Sequence, residues 1–284
     1  MRIDAHQHFW RFDPVRDTWI DPTTMASIRR DFMPEDLAPL LAQHNINGCI
    51  AVQADQSEAE TDFLLALAQE HSFIKGVVGW IDLQGQDLLQ RLDHYQEKPL
   101  LKGFRHILQT LPPEFMLQER FLAGVKAIGQ RGYTYDILVY PHQLPAVLEF
   151  VERLQGQKLV IDHLAKPYIK TGQLKPWEEH IRAIATFDHV YCKISGMVTE
   201  ANWQIWKTDD FIPYLDVVFD AFGTDRLMYG SDWPVCLLAA SYARQYALVA
   251  GYVAQHVPQE ADKIFGQNAI RFYNLSTEVS TNAQ

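Results

Sequence analysis

Eight short apolar runs alternate with helical patterns along the chain, and this rhythm constrains the fold more than any other feature. The runs are Arg2–Phe9, Ile46–Gln53, Lys75–Asp82, Leu101–Ile107, Tyr133–Val139, Lys158–His163, Val190–Ser195 and Arg226–Tyr229. Most are continuously apolar, as strands covered on both faces are. Helical spacing fills residues 35–44, 58–70, 118–130, 144–154, 177–187, 210–222 and 241–256. A last helix is predicted over 259–273, after Pro258, and none between 83 and 100. Ser57 with Glu60 three places on reads as a capping box. Such alternation implies right-handed βαβ units, and eight of them close into a (β/α)8 (TIM) barrel. An open doubly wound sheet is the alternative. It is weakened because no Gly-rich phosphate loop follows the first run. The 284 residues fit one barrel domain over 1–275, with 276–284 a polar, frayed tail.

Composition narrows the function by exclusion. A formal net charge of −10 argues against nucleic acid as a partner. No basic amphipathic segment points to a membrane surface, and no apolar run approaches the roughly 18 residues of a membrane span. The first ten residues carry no signal-peptide core. Cys49, Cys192 and Cys236 are odd in number and lie in apolar runs, which fits reduced thiols in a cytoplasmic protein. Oligomeric state is not legible.

The residues able to do chemistry cluster at the ends of the runs. His6 and His8, two apart at the end of the first strand, point the same way and suit a divalent metal or an oxyanion. His163 ends the sixth run and reads equally as a site residue or a satisfied core histidine; Asp162 beside it is expected to face away. Asp232, directly after the last run, can hold a metal or move a proton, or can simply cap a turn. Arg105 and His106 are adjacent, so at most one should face the interior. Lys166, Lys193 and Ser195 are similar rim candidates. Asp136, a charge in an apolar run, must be paired or functional. The long segment from Trp10 to Met33 reads as a functional loop, with Trp10 and Trp19 in it.

Taken in order, Asp4-Ala-His6-Gln-His8-Phe-Trp10, Phe32-Met-Pro34, Gly79-Trp80, Lys102-Gly-Phe-Arg105-His106, Lys193-Ile-Ser195-Gly196 and Gly230-Ser-Asp232-Trp233-Pro234 resemble the amidohydrolase superfamily. The likeness is to its amidohydrolase-2 branch, which contains the L-fuconolactonases and related sugar-lactone hydrolases, and it runs from about residue 2 to 273. The resemblance implies a distorted barrel with its site at the C-terminal strand ends. It also implies that His6, His8, His163 and Asp232 form the central constellation. One departure is that the fifth run, Tyr133-Thr-Tyr-Asp136, lacks the histidine many metal-dependent relatives carry there. A binuclear centre is therefore not expected. The reading is a single divalent metal, zinc by its donor set, held by His6, His8, His163 and Asp232, with metal-free catalysis as the other branch.

The activity so implied is that of a hydrolase opening a small-molecule sugar-acid lactone, like L-fuconolactone or L-rhamnonolactone, to the aldonate. Asp232 is the expected general base and then acid, with His6, His8 and His163 orienting water and stabilising the oxyanion. Arg105, His106, Lys166, Trp19 and Trp233 are the expected substrate-binding residues. The alternatives are a metal-dependent decarboxylase of the same superfamily and a non-catalytic sugar binder.

Overall fold

The computed structural model describes residues 1–276. The tail expected over 276–284 falls, beyond Ser276, outside the described residues. Eight parallel strands follow one another around a sheet in chain order: β1 (Ile3–Gln7), β2 (Gly48–Val52), β3 (Ile74–Gly79), β4 (Leu101–Ile107), β5 (Thr134–Leu138), β6 (Leu159–Ile161), β7 (Val190–Ile194) and β8 (Leu227–Tyr229). Each expected strand is present. The helices α1 (Pro34–Gln43), α2 (Glu58–Glu70), α3 (Leu88–Tyr95), α4 (Glu119–Gln130), α5 (Leu144–Arg153), α6 (Trp177–Ala185), α7 (Ile212–Phe222) and α8 (Tyr242–His256) connect them. Ser57 accepts from the Glu60 N–H and caps α2.

Two features differ from the sequence reading. Helix α3 lies in the 83–100 stretch where no helix was expected. The expected helix over 259–273 is broken into a 3-10 turn at Pro258–Glu260, a π turn at Lys263–Gln267 and α9 (Asn268–Tyr273). The π turn brings Gly266 against Met1, where an added Cβ would stand 2.1 Å from the Met1 carbonyl oxygen.

The barrel closes through its C-terminal rim. Gln7 bridges Trp233, the His8 N–H donates to the Trp233 carbonyl (2.7 Å), and the Asp232 N–H donates to the His6 carbonyl (2.8 Å). At this seam Gly230 lies so close to β1 that a Cβ would come within 2.6 Å of His6 Cβ. A register shift in β1 between Asp4 and Gln7 distorts the pairing further.

The interior is built in levels. Ile3, Ala5, Ile50, Val52, Val160 and Met228 pack with Phe272, Tyr273 and Leu275, so α9 and the residue pair after it plug the N-terminal mouth. Asp136, Lys193, Asp162 and Arg105 form a fully or almost fully buried charged level, tied to the plug by the Tyr273 hydroxyl, which donates to Asp136 (2.9 Å). A larger apolar cluster fills the space between strands and helices.

Candidate active site

Three imidazoles and one carboxylate converge at the C-terminal end of the barrel. His6 Nε2 is 3.2 Å from His8 Nε2. Asp232 Oδ1 lies 3.4 Å from His8 Nε2 and 3.9 Å from Nε2 of both His6 and His163. The four side chains are nearly fully buried.

Local backbone geometry places them. The shifted register of β1 turns both Ala5 and His6 inward and returns Gln7 outward to Cys49. After β6 the chain leaves the extended region: His163, Leu164, Ala165 and Lys166 all have positive φ, near +50 to +56°. His163 therefore reaches the centre although alternation alone would aim it away. Asp232 also has a positive φ, +57°. Such backbone is uncommon for these residue types and costs about 1–3 kcal/mol each.

Asp162 requires a correction. It was expected to face away from the site, but it follows Val160 by alternation into the barrel. Its Oδ1 is 3.3 Å from His6 Nδ1 and its Oδ2 accepts from Arg105 (3.0 Å). Asp136 is paired, as a charge in an apolar strand must be: Lys193 Nζ lies 2.5 Å from its Oδ2.

Each imidazole has an oxygen at its other nitrogen. The Val52 carbonyl lies 2.8 Å from His8 Nδ1, Ser195 Oγ lies 2.9 Å from His163 Nδ1, and Asp162 Oδ1 faces His6 Nδ1. This arrangement leaves the Nε2 atoms turned toward Asp232, with the Val52 carbonyl and the Ser195 hydroxyl fixing the His8 and His163 rings. Nε2 of His6 and His8 and Asp232 Oδ1, 3.2 to 3.9 Å apart, are a donor set that fits a divalent metal, and His163 Nε2 stands beside them, 3.9 Å from Asp232 Oδ1. His6, His8 and Asp232 form one potential metal triad, and His6, Asp162 and His163 a second that shares His6.

Charge states follow from burial. Burial holds the His6 imidazolium well below its ordinary range and lowers His163 to about 4. Burial alone would raise the Asp232 carboxyl, but His163, the hydrogen bond with His8 and His6 outweigh it and hold Asp232 below its usual range. Burial likewise pushes Asp162 upward, and Lys193, His6 and Arg105 overcome it and keep it ionised.

Above this cluster opens a cavity of about 300 Å³. Arg105, Lys166 and Trp19 line it, together with His8, His163 and Asp232. Lys166 Nζ is 3.6 Å from Glu200 Oε1 and 5.5 Å from the Tyr140 ring centre. His106 and Trp233 are placed elsewhere. His106 lies on the outer side of β4, stacked on Phe115 at 5.5 Å and accepting from Trp80 Nε1 (3.2 Å). Burial lowers it to about 4. Trp233 is buried between Phe9 and Phe32, with ring centres at 6.2 and 5.2 Å. Trp10 takes the wall instead; Gln56, Gln109, Thr110 and Leu138 also line the cavity without having been singled out in the sequence. The aromatic pattern of the first long loop was the available signal for Trp10.

The model of the amidohydrolase family matches residues 3–275. This chain belongs to the amidohydrolase family. It is 39% identical to an L-fucono-1,5-lactonase of Burkholderia multivorans, over 97% of this chain and 96% of the relative. It is 25% identical to an L-rhamnono-gamma-lactonase of Scheffersomyces stipitis, over 62% of this chain and 60% of that protein. The crystal structure of a Burkholderia multivorans amidohydrolase with bound zinc superposes with a TM-score of 0.94 at 39% identity. That match covers 97% of this chain and all of the other. The barrel is thus that of the family. Among the described residues no helix is long and apolar enough to cross a membrane.

Proposed function

We propose that this member of the amidohydrolase family opens a sugar-acid lactone of the L-fucono- or L-rhamnono-lactone kind to the aldonate, with Asp232 moving the proton. The chain is a hydrolase acting on lactone ester bonds. The observation that carries the finer reading is Asp232 Oδ1 encircled by three Nε2 atoms at the foot of the cavity. The full-length likeness to a curated L-fucono-1,5-lactonase supports the substrate class.

A divalent metal fits His6, His8 and Asp232, with His163 beside Asp232 as the expected fourth donor, and zinc is the proposed ion because the similar crystal structure holds zinc. When bound, it supplies Lewis acidity toward an oxygen in the cavity. The chain's own residues do the rest. All three imidazole contacts use Asp232 Oδ1, so Oδ2 is the oxygen that takes a proton from the attacking water. The water oxygen bonds to the lactone carbonyl carbon, the bond from that carbon to the ring oxygen breaks, and Asp232 returns the proton to the departing oxygen. The new carboxyl group loses its own proton to solvent and leaves as the aldonate. His6 and His163, neutral at pH 7, orient the reacting oxygens. Arg105 is committed to Asp162 and to the Gln53 carbonyl (2.5 Å), so it serves as a fixed positive wall. Lys166 reaches the cavity and can donate to a lactone hydroxyl. Trp10 and Trp19 offer faces for the sugar ring.

A pH-indicator assay on a panel of 1,4- and 1,5-sugar lactones, with and without chelator, tests this. Acid release from a deoxyhexono-lactone is expected. No release from any sugar lactone with zinc supplied would overturn the reading.

A further inference from the structure

Two potential metal triads share His6, and the site proposed above also draws on His163 of the second, which leaves Asp162 and the Nδ1 side of His6. Lys193 Nζ lies within 3.0 Å of Asp162 Oδ1 and 3.1 Å of His6 Nδ1, two residues of the second triad. It also touches Asp136 Oδ2 at 2.5 Å. Nothing of Lys193, Asp136 or Asp162 reaches solvent. Asp162 Oδ1 is off the hydrogen-bonding direction of its neighbours, so its contact with Nζ is one of charge rather than a directed bond. An ammonium wrapped by two carboxylates and an imidazole nitrogen occupies the kind of space a metal ion would take.

We propose that the Lys193 ammonium is a built-in cation that fills the space between Asp136, Asp162 and the Nδ1 side of His6 and so confines metal binding to one ion, at His6, His8 and Asp232 with His163 beside them. The inference rests on the metal reading above and extends it to a residue that touches no substrate; Lys193 is a positioning residue. Charge supports the arrangement. Asp136, Asp162 and Asp232 face Arg105 and Lys193, an excess of one negative charge when all are ionised. One divalent ion turns that into a single positive charge, suited to one developing oxyanion. A second would add two more in a sealed interior, where unbalanced charge is costly. A methylene stem anchored in β7 also delivers this charge irreversibly, whereas an ion there would exchange with solvent.

The test is metal stoichiometry, which does not depend on turnover. Chelator-stripped wild type is titrated with zinc by calorimetry, and metal is counted after desalting; one ion per chain is expected. Lys193→Ala, which vacates the space, should take two ions per chain. Lys193→Leu, which removes the charge but keeps an apolar side chain beside the two carboxylates, should still take one. Circular dichroism checks folding. If both variants are unfolded without metal, zinc should restore Lys193→Ala and not Lys193→Leu. Two ions in the wild type, or one in a folded Lys193→Ala, would overturn the proposal. So would failure of zinc to restore Lys193→Ala. No ion in the wild type would sink both this inference and the metal reading, while lactone hydrolysis would be judged separately by the assay above.

Discussion

The main-chain N–H of Asp232 donates to the His6 carbonyl at 2.8 Å, while its carboxylate Oδ1 stands 3.9 Å from Nε2 of the same histidine. One residue pair thus closes the barrel and joins the proposed proton carrier to the imidazole cluster. The backbone bond does not depend on the side chain. The seam should therefore survive changes that remove only the carboxylate.

Asp232→Asn is expected to lower kcat by about 10²–10⁴, the usual contribution of a positioned acid–base group. The melting temperature should stay near wild type, because burial and the seam are retained. Rates on the preferred lactone and a thermal melt check both halves; near-normal turnover would remove Asp232 from the proton path.

Gly196 has φ +59°, and a Cβ there would stand 2.4 Å from His163 Nδ1. Gly196→Ala must displace the ring that Ser195 holds and also adopt a strained backbone. A stability loss of more than about 1 kcal/mol is expected, with a drop in activity. Ser195→Ala removes only the ring's hydrogen-bond partner and should cost about 10–100-fold in metal affinity or activity. Denaturant unfolding and zinc titration separate the two.

The strands were legible because residues such as Leu159, Val160 and Ile161 are apolar on both faces, which a strand between barrel interior and helix layer requires. Helix α3 was not, since Leu88–Tyr95 spans only eight residues and its Asp87 makes no side-chain cap. His6 and His8 were readable from spacing. Asp162 was misjudged because alternation was anchored on His163, whose left-handed backbone is invisible in sequence. The same local turn explains why both neighbours serve one site. His106 and Trp233 sit in motifs that resemble the family's, but their side chains fill apolar spaces away from the cavity. The sequence carries the motif; direction is set by packing.

Glu60 is buried, accepts from the Ala54 N–H, and burial raises its carboxyl from 4.5 to about 7. Its folded pKa exceeds the unfolded one, so the native state binds the extra proton between these values. Stability contributed by this group therefore falls as pH rises from about 4.5 to 7, and the penalty is complete above that. Glu60→Gln keeps an acceptor for Ala54 and should be more stable than wild type at pH 8 by roughly 1–3 kcal/mol. The two should coincide near pH 4. Asp4 and Asp136, each raised to about 6 chiefly by burial, remain in the variant, so its stability profile flattens without becoming level. Equal stability of the two proteins at pH 8 would contradict this.

Removal of metal by chelator should lower both activity and the melting temperature. Zinc re-added at about 100 times its dissociation constant should return about 2.7 kcal/mol, since it binds the folded donor set alone. His8→Ala should abolish this zinc-dependent gain, as it deletes a ligand from the proposed set. A melt insensitive to both chelator and zinc would argue for catalysis by Asp232 and the imidazoles alone.

Trp19 tests whether the first long loop contributes binding or chemistry. It lines the cavity, is 44% exposed, and meets Trp10 edge to face at 6.0 Å. Trp10 is fixed from behind, donating through Nε1 to the Arg30 carbonyl (2.9 Å). Trp19 has no comparable anchor among its contacts described above, and it stands above the imidazoles. A residue that covers the sugar face in ground and transition states alike raises KM when lost and leaves kcat unchanged. Trp19→Ala is therefore expected to raise KM several-fold, with kcat within about twofold, as a loss of about 1 kcal/mol of uniform binding would give. Its melting temperature should hardly move, given the exposure. Should kcat fall with KM unchanged, Trp19 would instead act only as the ester opens, and the loop would belong to the chemistry rather than to binding.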